Sequence, residues 1–252
     1  MAYSNCEALS LSVERRPASW AQTVETQMLV MARSLLSPQA LAHCRGRLAA
    51  APWADGRITA GAQSALAKRN LQLPEESAEA RDLGELVLAA LQQSATFLSA
   101  ALPAAVFPPL FNRYDEGMGF GGHVDNAIRN SPTRRLRTDV SCTLFLTDPR
   151  DYDGGELVVE GAFGEQRVKG EAGDMVIYPA SSVHRVEPVT RGSRWASFFW
   201  VQSMVRRDDQ RELLYRLDQD VAAVRAAQGD DHPTAVSLTA GYHNLVRMWA
   251  EV

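Results

Sequence analysis

His123 and Asp125 have side chains that bind metal ions or transfer protons. They lie two positions apart and directly follow the glycine-rich stretch "GMGFGG". Alternate residues of a strand project from the same face, so an imidazole and a carboxylate at this spacing can converge on one point. A stretch so rich in glycine is not typical of a packed strand, and the pair therefore predicts a chemical site.

His184 is the third residue of a suitable type. It ends the segment "DMVIYPASSVH", which reads as a strand and a turn, and it lies 59 positions beyond Asp125. Two histidines and one carboxylate form the facial triad that holds non-haem Fe(II) and leaves coordination positions open. The three residues therefore predict an iron centre.

Arg194 lies ten residues after His184, within "TRGSRWASFFW". We expect His184 to start one strand and Arg194 to start the next, across a turn at 188–193. The guanidinium would then reach the metal cavity from the neighbouring strand and bind one end of a dicarboxylate through two parallel hydrogen bonds. Arg191 is the alternative anchor, but the predicted turn at Gly192 favours a solvent-facing role for it.

The elements that position these residues form a β region between two helical regions. From 105 to 203, apolar residues alternate with a period of two between Gly, Pro and Asp turns, which indicates roughly eight short strands in a sandwich or jelly roll. Residues 29–104 are mainly helical, with Ser37 and Ser77 as expected N-caps. Residues 204–252 return to amphipathic helices, and 1–28 are expected to be a poorly ordered extension.

Composition limits the partners. The 252-residue chain has a net charge of −4 and a pI near 5.8, which favours neither nucleic acid nor an anionic membrane as a partner. No apolar stretch reaches the roughly 18 residues of a membrane span. Three widely separated cysteines, Cys6, Cys44 and Cys142, indicate a reducing compartment, and we expect a cytoplasmic protein.

The spacing of the four candidate residues resembles that of the Fe(II)/2-oxoglutarate-dependent dioxygenases. The similarity extends to "PLFNRYDEGMGFGGHVDNAIR", "RTDVSCTLFLTDP", "YDGGELVV" and "GDMVIYPASSVHRVEPVTRGSRWASFFWVQSM". Together these segments resemble the bacterial PKHD-type hydroxylases, a group related to prolyl 4-hydroxylases. The resemblance covers 29–252 and implies an α+β fold, with a double-stranded β-helix (jelly roll) at 105–203 and helices on both sides.

The resemblance implies a role for each site residue. His123, Asp125 and His184 would be the catalytic iron ligands, and Arg194 would bind the remote carboxylate of 2-oxoglutarate. Tyr114 would donate a hydrogen bond to 2-oxoglutarate, although a place in the core with a satisfied hydroxyl is its alternative role. The implied cofactors are Fe(II), 2-oxoglutarate and O2, with L-ascorbate as a reductant.

The implied reaction is hydroxylation of a C–H bond with release of succinate and CO2. Related halogenases lack the carboxylate ligand, so Asp125 favours hydroxylation. The substrate is expected to be a small molecule or a peptide, and the C-terminal helices offer a surface for a homo-oligomer. A jelly-roll protein that senses iron or 2-oxoglutarate without turnover is the alternative.

Two further segments lie close to the candidate site. The glycines of 117–122 are expected to form a flexible lip near the iron. The segment "AIRNSPTRRLRTD" (127–139) is either a lid that meets an anionic substrate or a solvated loop.

Overall fold

The computed structural model describes residues 29–59, 67–130, 135–161 and 164–252. The expectation of a poorly ordered extension at 1–28 lies outside these residues. Within them no helix has both the length and the apolar character that crossing a bilayer requires.

Five α-helices occur in the described part of the chain: α1 (Pro38–Ala49), α2 (Ala78–Gln92), α3 (Ala95–Ala101), α4 (Asp208–Gln228) and α5 (Pro233–Trp249). The expected N-caps of the first two are confirmed, because the hydroxyls of Ser37 and Ser77 accept bonds from the amides of Ala40 and Ala80. Each cap satisfies a backbone donor that the helix itself leaves unpaired.

Sixteen strands occur in the same residues: β1 (Val30–Ala32), β2 (Ala54–Asp55), β3 (Lys68–Arg69), β4 (Leu71–Gln72), β5 (Pro103–Val106), β6 (Leu110–Asp115), β7 (Gly119–His123), β8 (Ile128–Asn130), β9 (Arg135–Arg137), β10 (Val140–Phe145), β11 (Tyr152–Gly154), β12 (Leu157–Gly161), β13 (Gly164–Val168), β14 (Met175–Pro179), β15 (His184–Val186) and β16 (Val189–Ser203).

The strands form two antiparallel sheets and a ribbon. The major sheet has the order β1-β14-β10-β16-β6-β4-β2, with β5 and β11 also paired to β16. The minor sheet has the order β13-β12-β15-β7-β3, and β8 pairs with β9. The predicted α+β jelly-roll fold is confirmed.

The strand count was underestimated, because twelve strands (β5–β16) begin between 103 and 189 where roughly eight were expected. The stretch "AVFPPLFNRY" divides into β5 and β6, since its two prolines cannot donate ladder bonds. The arginine-rich segment 127–139 contributes β8 and β9 rather than a simple loop, and its residues 131–134 are outside the described ranges.

The major sheet is buried on both faces. Its outer face packs on α1, α2 and α3 through residues such as Cys142, Leu144 and Phe111, while alternate residues such as Tyr114 and Phe145 face the minor sheet. The period of two therefore separates a helix–sheet core from a layer between the two sheets. That inner layer contains the candidate site.

The C-terminal helices pack against the end of the major sheet. Leu214 of α4 packs on Leu102 and Val205, and several apolar side chains of α5 cover this cluster. Arg211, only 2% exposed, donates bonds to the carbonyl oxygens of Val205 and Arg206. A homo-oligomer through these helices stays a prediction.

Candidate metal centre

The structure brings His123, Asp125 and His184 together. His123 ends β7 and is paired in register with His184, the first residue of β15. Their rings lie 4.3 Å apart between centroids, and Nε2 of His184 lies 3.8 Å from Oδ2 of Asp125. One ligand atom from each of the three residues lies within 4.8 Å of the others, which suits a single metal ion.

Backbone carbonyls orient both imidazoles. Nδ1 of His123 lies 2.9 Å from the oxygen of Gly121, and Nδ1 of His184 lies 3.0 Å from that of Ser182. A carbonyl can only accept, so each Nδ1 carries the proton and each Nε2 keeps its lone pair for a metal. Such outer contacts fix the tautomer and orientation of metal-binding histidines.

Asp125 reaches the centre by a different route from the expected one. β7 ends at His123, so Asp125 lies in the following loop rather than on the same strand. Its side chain nevertheless turns towards the histidines, and the hydroxyl of Ser141 on β10 donates to Oδ2. The major sheet therefore helps to position a ligand that follows a strand of the minor sheet.

Burial keeps His123 neutral. Burial, and after it the neighbouring His184, lowers the pKa of His123 to about 4. The ring of Phe120 stacks on the imidazole at 3.6 Å between centroids. The neutral imidazole is the form that binds metals, so it needs no deprotonation at neutral pH.

The glycines before His123 allow close packing rather than a flexible lip. Gly119, Gly121 and Gly122 belong to β7. A Cβ atom on Gly119 would lie 3.0 Å from the carbonyl oxygen of Val186, and one on Gly121 would lie 3.0 Å from Cβ of Ala67. Larger residues would push β7 away from its neighbours and displace His123.

Arg194 is buried in the same layer, 1% exposed. It pairs across the sheet with Tyr114 on β6, and its guanidinium carbon lies 5.3 Å from the Tyr114 ring and 5.6 Å from the Phe145 ring. Its Nε and one terminal nitrogen have no acceptor in the described structure. A buried cation with unused donors is costly on its own, and this one suits a carboxylate ligand.

The expected turn between His184 and Arg194 is wrong. β16 already begins at Val189, and Gly192 lies inside it with a φ of 76°, opposite Tyr152 of β11. His184 and Arg194 consequently lie on opposite sheets and face each other across the cavity. Gly192 is needed for a close contact between strands rather than for a turn, because a Cβ atom on it would lie 2.2 Å from the Asp151 carbonyl oxygen.

The other sequence candidates are distributed as follows. Arg191 is exposed and bonded to Asp153 at 2.7 Å, which confirms its solvent-facing role. Tyr114 lines the cavity, and its hydroxyl accepts a bond of 3.3 Å from the amide of Asn112, a further lining residue. Burial raises the pKa of Tyr114, so its hydroxyl keeps its proton.

Several residues of the cavity were not identified from the sequence. In "TDVSCTLFLT", the polar residues Ser141 and Thr143 alternate with apolar ones, and this alternation could have identified Ser141. Lys68 gave no comparable signal, since it lies in a two-residue strand. Arg129 belongs to the segment 127–139, for which a lid that meets an anionic substrate was one of the two alternatives. The cavity encloses about 840 Å³, part of it open to solvent, between the two sheets. Its remaining lining residues include Leu110, Phe120, Val124, Asn126, Leu157, Tyr178, Val186, Phe198 and Trp200.

The fold and the site together define a class. Residues 109–202 match the 2OG-Fe(II) oxygenase superfamily, and residues 208–251 match the PKHD-type hydroxylase C-terminal domain. A prolyl hydroxylase from Trichoplax adhaerens, solved with a hypoxia inducible factor peptide fragment, shares the fold. Its TM-score is 0.51 at 14% identity, over 74% of this chain and 86% of that one. The non-haem carbocyclase SnoK gives a TM-score of 0.52 at 16% identity, over 71% and 81%.

Closer relatives identify the family. PKHD-type hydroxylases of Methylobacterium nodulans and Gluconobacter oxydans are each 59% identical to this chain, and one of Paracoccus denitrificans is 55% identical. Each match covers 89% of this chain and the whole of the relative. The chain belongs to the PKHD-type hydroxylases. It is therefore an Fe(II)/2-oxoglutarate-dependent hydroxylase that uses Fe(II), 2-oxoglutarate and O2, as this superfamily does.

Proposed function

We propose that His123, Asp125 and His184 bind the catalytic Fe(II). The observation that carries this proposal is the convergence of one ligand atom from each residue within 4.8 Å, with both imidazoles presenting Nε2. Two neutral imidazoles and one carboxylate suit Fe(II) and leave positions for the cosubstrates. Ser141 holds the carboxylate of Asp125, and the carbonyls of Gly121 and Ser182 hold the two rings.

Arg194 binds the remote carboxylate of 2-oxoglutarate. Its unused Nε and terminal nitrogen offer the two parallel donors that a carboxylate accepts. Arg194 lies on the major sheet and the histidines on the minor sheet, so a ligand between them spans the cavity. Tyr114, paired in register with Arg194, is the second residue that we assign to this end.

The bound iron, 2-oxoglutarate and O2 supply the oxidising chemistry that hydroxylates a C–H bond and converts 2-oxoglutarate to succinate and CO2. The protein contributes orientation and shelter. Residues of both sheets hold the ligands at fixed positions, and the apolar rings of Phe120 and Phe198 limit the access of water. The substrate is a small molecule or a peptide, and ascorbate sustains activity by keeping the iron reduced.

The chain is organised around this centre. We propose that residues 105–203 form the oxygenase domain, with 29–104 as an N-terminal helical flank and 204–252 as a C-terminal helical extension. The separate match of 208–251 to a C-terminal domain supports the last boundary. The packing of Leu214 on Val205 supports a stabilising role for this extension.

The iron assignment is tested by anaerobic titration with Fe(II) and 2-oxoglutarate. A keto acid that chelates Fe(II) gives a weak visible charge-transfer band, and we expect this band in the wild-type protein. His123→Ala removes a ligand and should abolish it. His43→Ala, on α1 and remote from the cavity, is the matched control and should leave it unchanged. A normal band in His123→Ala would overturn the iron assignment.

The role of Arg194 is tested separately. Arg194→Ala should weaken 2-oxoglutarate binding by about 10- to 100-fold, because a hydrogen-bonded pair with a charged group contributes roughly 1.5 to 3 kcal/mol. The Fe(II) requirement should change little. Arg191→Ala, which removes an exposed arginine of the same strand, is the control. Equal losses of iron and 2-oxoglutarate affinity in Arg194→Ala would contradict the assignment.

A further inference from the structure

A second group of cations lines the cavity apart from Arg194. Lys68 of β3 is only 4% exposed, and its ammonium lies 5.5 Å from the ring centroid of Phe120 and 5.9 Å from that of Phe198. It donates a bond of 2.9 Å to the amide oxygen of Gln72. Burial lowers the pKa of Lys68 to about 8, so the charged form still predominates at neutral pH.

Arg129 of β8 is the second cation of this group. Its guanidinium carbon lies 4.6 Å from the ring centroid of Trp200 and 5.0 Å from that of Phe107. One terminal nitrogen donates to Glu75 at 3.2 Å, but its buried Nε has no acceptor in the described part of the chain. Arg129 is thus held against apolar rings with one donor unused.

The charges of the cavity do not balance. Its described lining includes three cations, Lys68, Arg129 and Arg194, and one carboxylate, Asp125. In the loaded enzyme, Fe(II), Asp125, Arg194 and the 2-oxoglutarate dianion formally neutralise one another. Two carboxylates act from outside the lining: Glu75, which is paired with Arg129, and Asp55, which acts on Lys68 but is itself paired with Arg57. The lining therefore keeps an excess of positive charge, and an excess of one charge in a buried cavity is costly.

This excess charge lies close to the metal centre. The ring of Phe120 stacks on His123 at 3.6 Å and also contacts the Lys68 ammonium at 5.5 Å. A group bound at Lys68 would therefore lie about one aromatic ring away from an iron ligand. The rings of Phe198 and Trp200 form the adjoining wall, which suits an apolar body rather than a second polar group.

We propose that Lys68 and Arg129 bind an anionic group of the primary substrate, a carboxylate or a phosphate, while Phe198 and Trp200 contact the apolar body that carries the C–H bond. This inference rests on the proposed function, because it assigns Arg194 to 2-oxoglutarate. It restricts the substrate class to organic acids or acidic peptides with an apolar segment next to the charge. Neutral and cationic compounds are excluded as good substrates.

Calorimetry on the anaerobic holoenzyme, with Fe(II) and saturating 2-oxoglutarate, tests the proposal. The probes are benzoate, phenyl phosphate and the uncharged benzamide, which share one ring and differ in charge. We expect benzoate or phenyl phosphate to bind at least tenfold more tightly than benzamide. The preference between the first two distinguishes a carboxylate from a phosphate substrate.

Two variants locate the binding. Lys68→Met keeps the length of the side chain and removes its charge, and it should weaken binding of the preferred anion at least tenfold; Arg129→Met should act in the same direction. Arg69→Met is the matched control, because Arg69 is the next residue of β3 and is exposed. It removes one positive charge outside the cavity and should leave the affinity unchanged.

Three results would overturn the inference. The first is that neither benzoate nor phenyl phosphate binds more tightly than benzamide. The second is the absence of anion binding up to about 10 mM, a level that corresponds to only weak affinity. The third is binding of the preferred anion that Lys68→Met leaves intact. The charge-transfer band keeps the two proposals apart. A normal band together with any of these results rejects the anion site alone, whereas a missing band rejects the iron and 2-oxoglutarate assignment.

Discussion

The two cationic ends of the cavity are built differently. Arg194 lies within the fifteen-residue strand β16, is paired with Tyr114 of β6, and is 1% exposed. Lys68 and Arg129 lie on strands of two and three residues, and Arg129 is already paired with Glu75. The Arg194 end is therefore held by a long strand, whereas the cations of the other end lie on short strands.

The difference fits the two ligands that we assign. Every turnover uses the same cosubstrate, so the site that binds it does not need to change shape, and a rigid cation within the major sheet suits it. A substrate must enter and leave, and short strands at a sheet edge or in a two-stranded ribbon can adjust to it at a lower cost. The comparison predicts that changes at the Arg194 end act on 2-oxoglutarate alone, and that changes at the other end act on the anionic substrate alone.

The largest expected effect comes from Gly155, which lies against Arg194. Its φ is 66°, and a Cβ atom there would lie 3.0 Å from Cδ of Arg194. Gly155→Val should displace the guanidinium and weaken 2-oxoglutarate binding by roughly 10- to 100-fold, as loss of its charged hydrogen bonds would. Titration of the anaerobic charge-transfer band measures this.

Gly164→Val is the matched control for backbone strain. Gly164 also has a positive φ, of 136°, but a Cβ atom there would have no described neighbour within 4 Å. The variant should lose stability without any loss of 2-oxoglutarate affinity. The same loss of affinity in both variants would show that the effect is not local to Arg194.

Removal of Arg194 should stabilise the protein in the absence of ligands. Arg194→Met replaces a buried cation that has unused donors with an apolar side chain of similar length, which is often stabilising by roughly 1 to 4 kcal/mol. Denaturant unfolding should show a higher free energy of unfolding for the variant. Added Fe(II) and 2-oxoglutarate should stabilise the wild type more than the variant, and the opposite order would contradict an anion site at Arg194.

Ser141 tests whether the major sheet positions the metal. Ser141→Ala removes the bond to Asp125 and should weaken Fe(II) binding by roughly tenfold, the lower end of the effect of outer contacts on metal ligands. Ser197→Ala removes a buried hydroxyl that has no partner in the described residues and serves as the control. Equal iron affinities in the two variants would mean that Ser141 does not orient Asp125.

The free energy of unfolding should depend on pH because the buried Lys68 ammonium titrates at a different pH in the folded and unfolded chains. The pKa of Lys68 is about 8 in the folded protein and near 10.5 when exposed, so the unfolded chain binds more protons between these values. Stability from this group therefore rises as pH increases from 8 to 10.5. The groups that act on it are Arg129, Glu75 and Asp55.

Lys68→Met removes this titration. The variant should be more stable than the wild type at pH 7, and its advantage should shrink as the pH rises to 10.5. Urea unfolding at several pH values measures the difference. Arg69→Met, on the exposed side of the same strand, should show no such convergence, and a constant difference for Lys68→Met would mean that the lysine is not perturbed by burial.

The same contrast explains what the sequence could predict. The residues His123, Asp125, His184 and Arg194 could be proposed from the sequence because metal and dicarboxylate chemistry demands particular residue types, whatever the local backbone does. Their geometry was predicted less well. Asp125 was expected on a strand and lies in a loop, and Arg194 was expected after a turn and lies within β16.

Lys68 could not be predicted as a site residue for a physical reason, whereas Arg129 lies in the segment 127–139 for which contact with an anionic substrate was one alternative. A charged residue in a short polar segment is usually solvated, and burial arises only when β3 joins the edge of the minor sheet. The helix–sheet core is easier to predict, since Leu83, Leu86, Val87, Ala90 and Leu91 of α2 recur at helical spacing; Leu83, Val87 and Leu91 are buried, and Leu86 and Ala90 are partly buried. Local patterns determine elements, whereas the anion site depends on contacts between distant segments.

The smallest expected effect sharpens the comparison at the end assigned to the substrate. Glu75 competes with an anionic ligand for Arg129, and its side chain is 35% exposed, so the ion pair contributes less than about 1 kcal/mol. Glu75→Gln removes the competing charge, and benzoate affinity should rise about two- to fivefold, within the range that such a pair allows. Glu76→Gln, at the exposed neighbouring position, should leave benzoate affinity unchanged. Because Arg194 lies on the other sheet, 2-oxoglutarate affinity should not change in either variant. If Glu75→Gln raised the affinity for both benzoate and 2-oxoglutarate, the two ends of the cavity would share one electrostatic field rather than bind separate ligands.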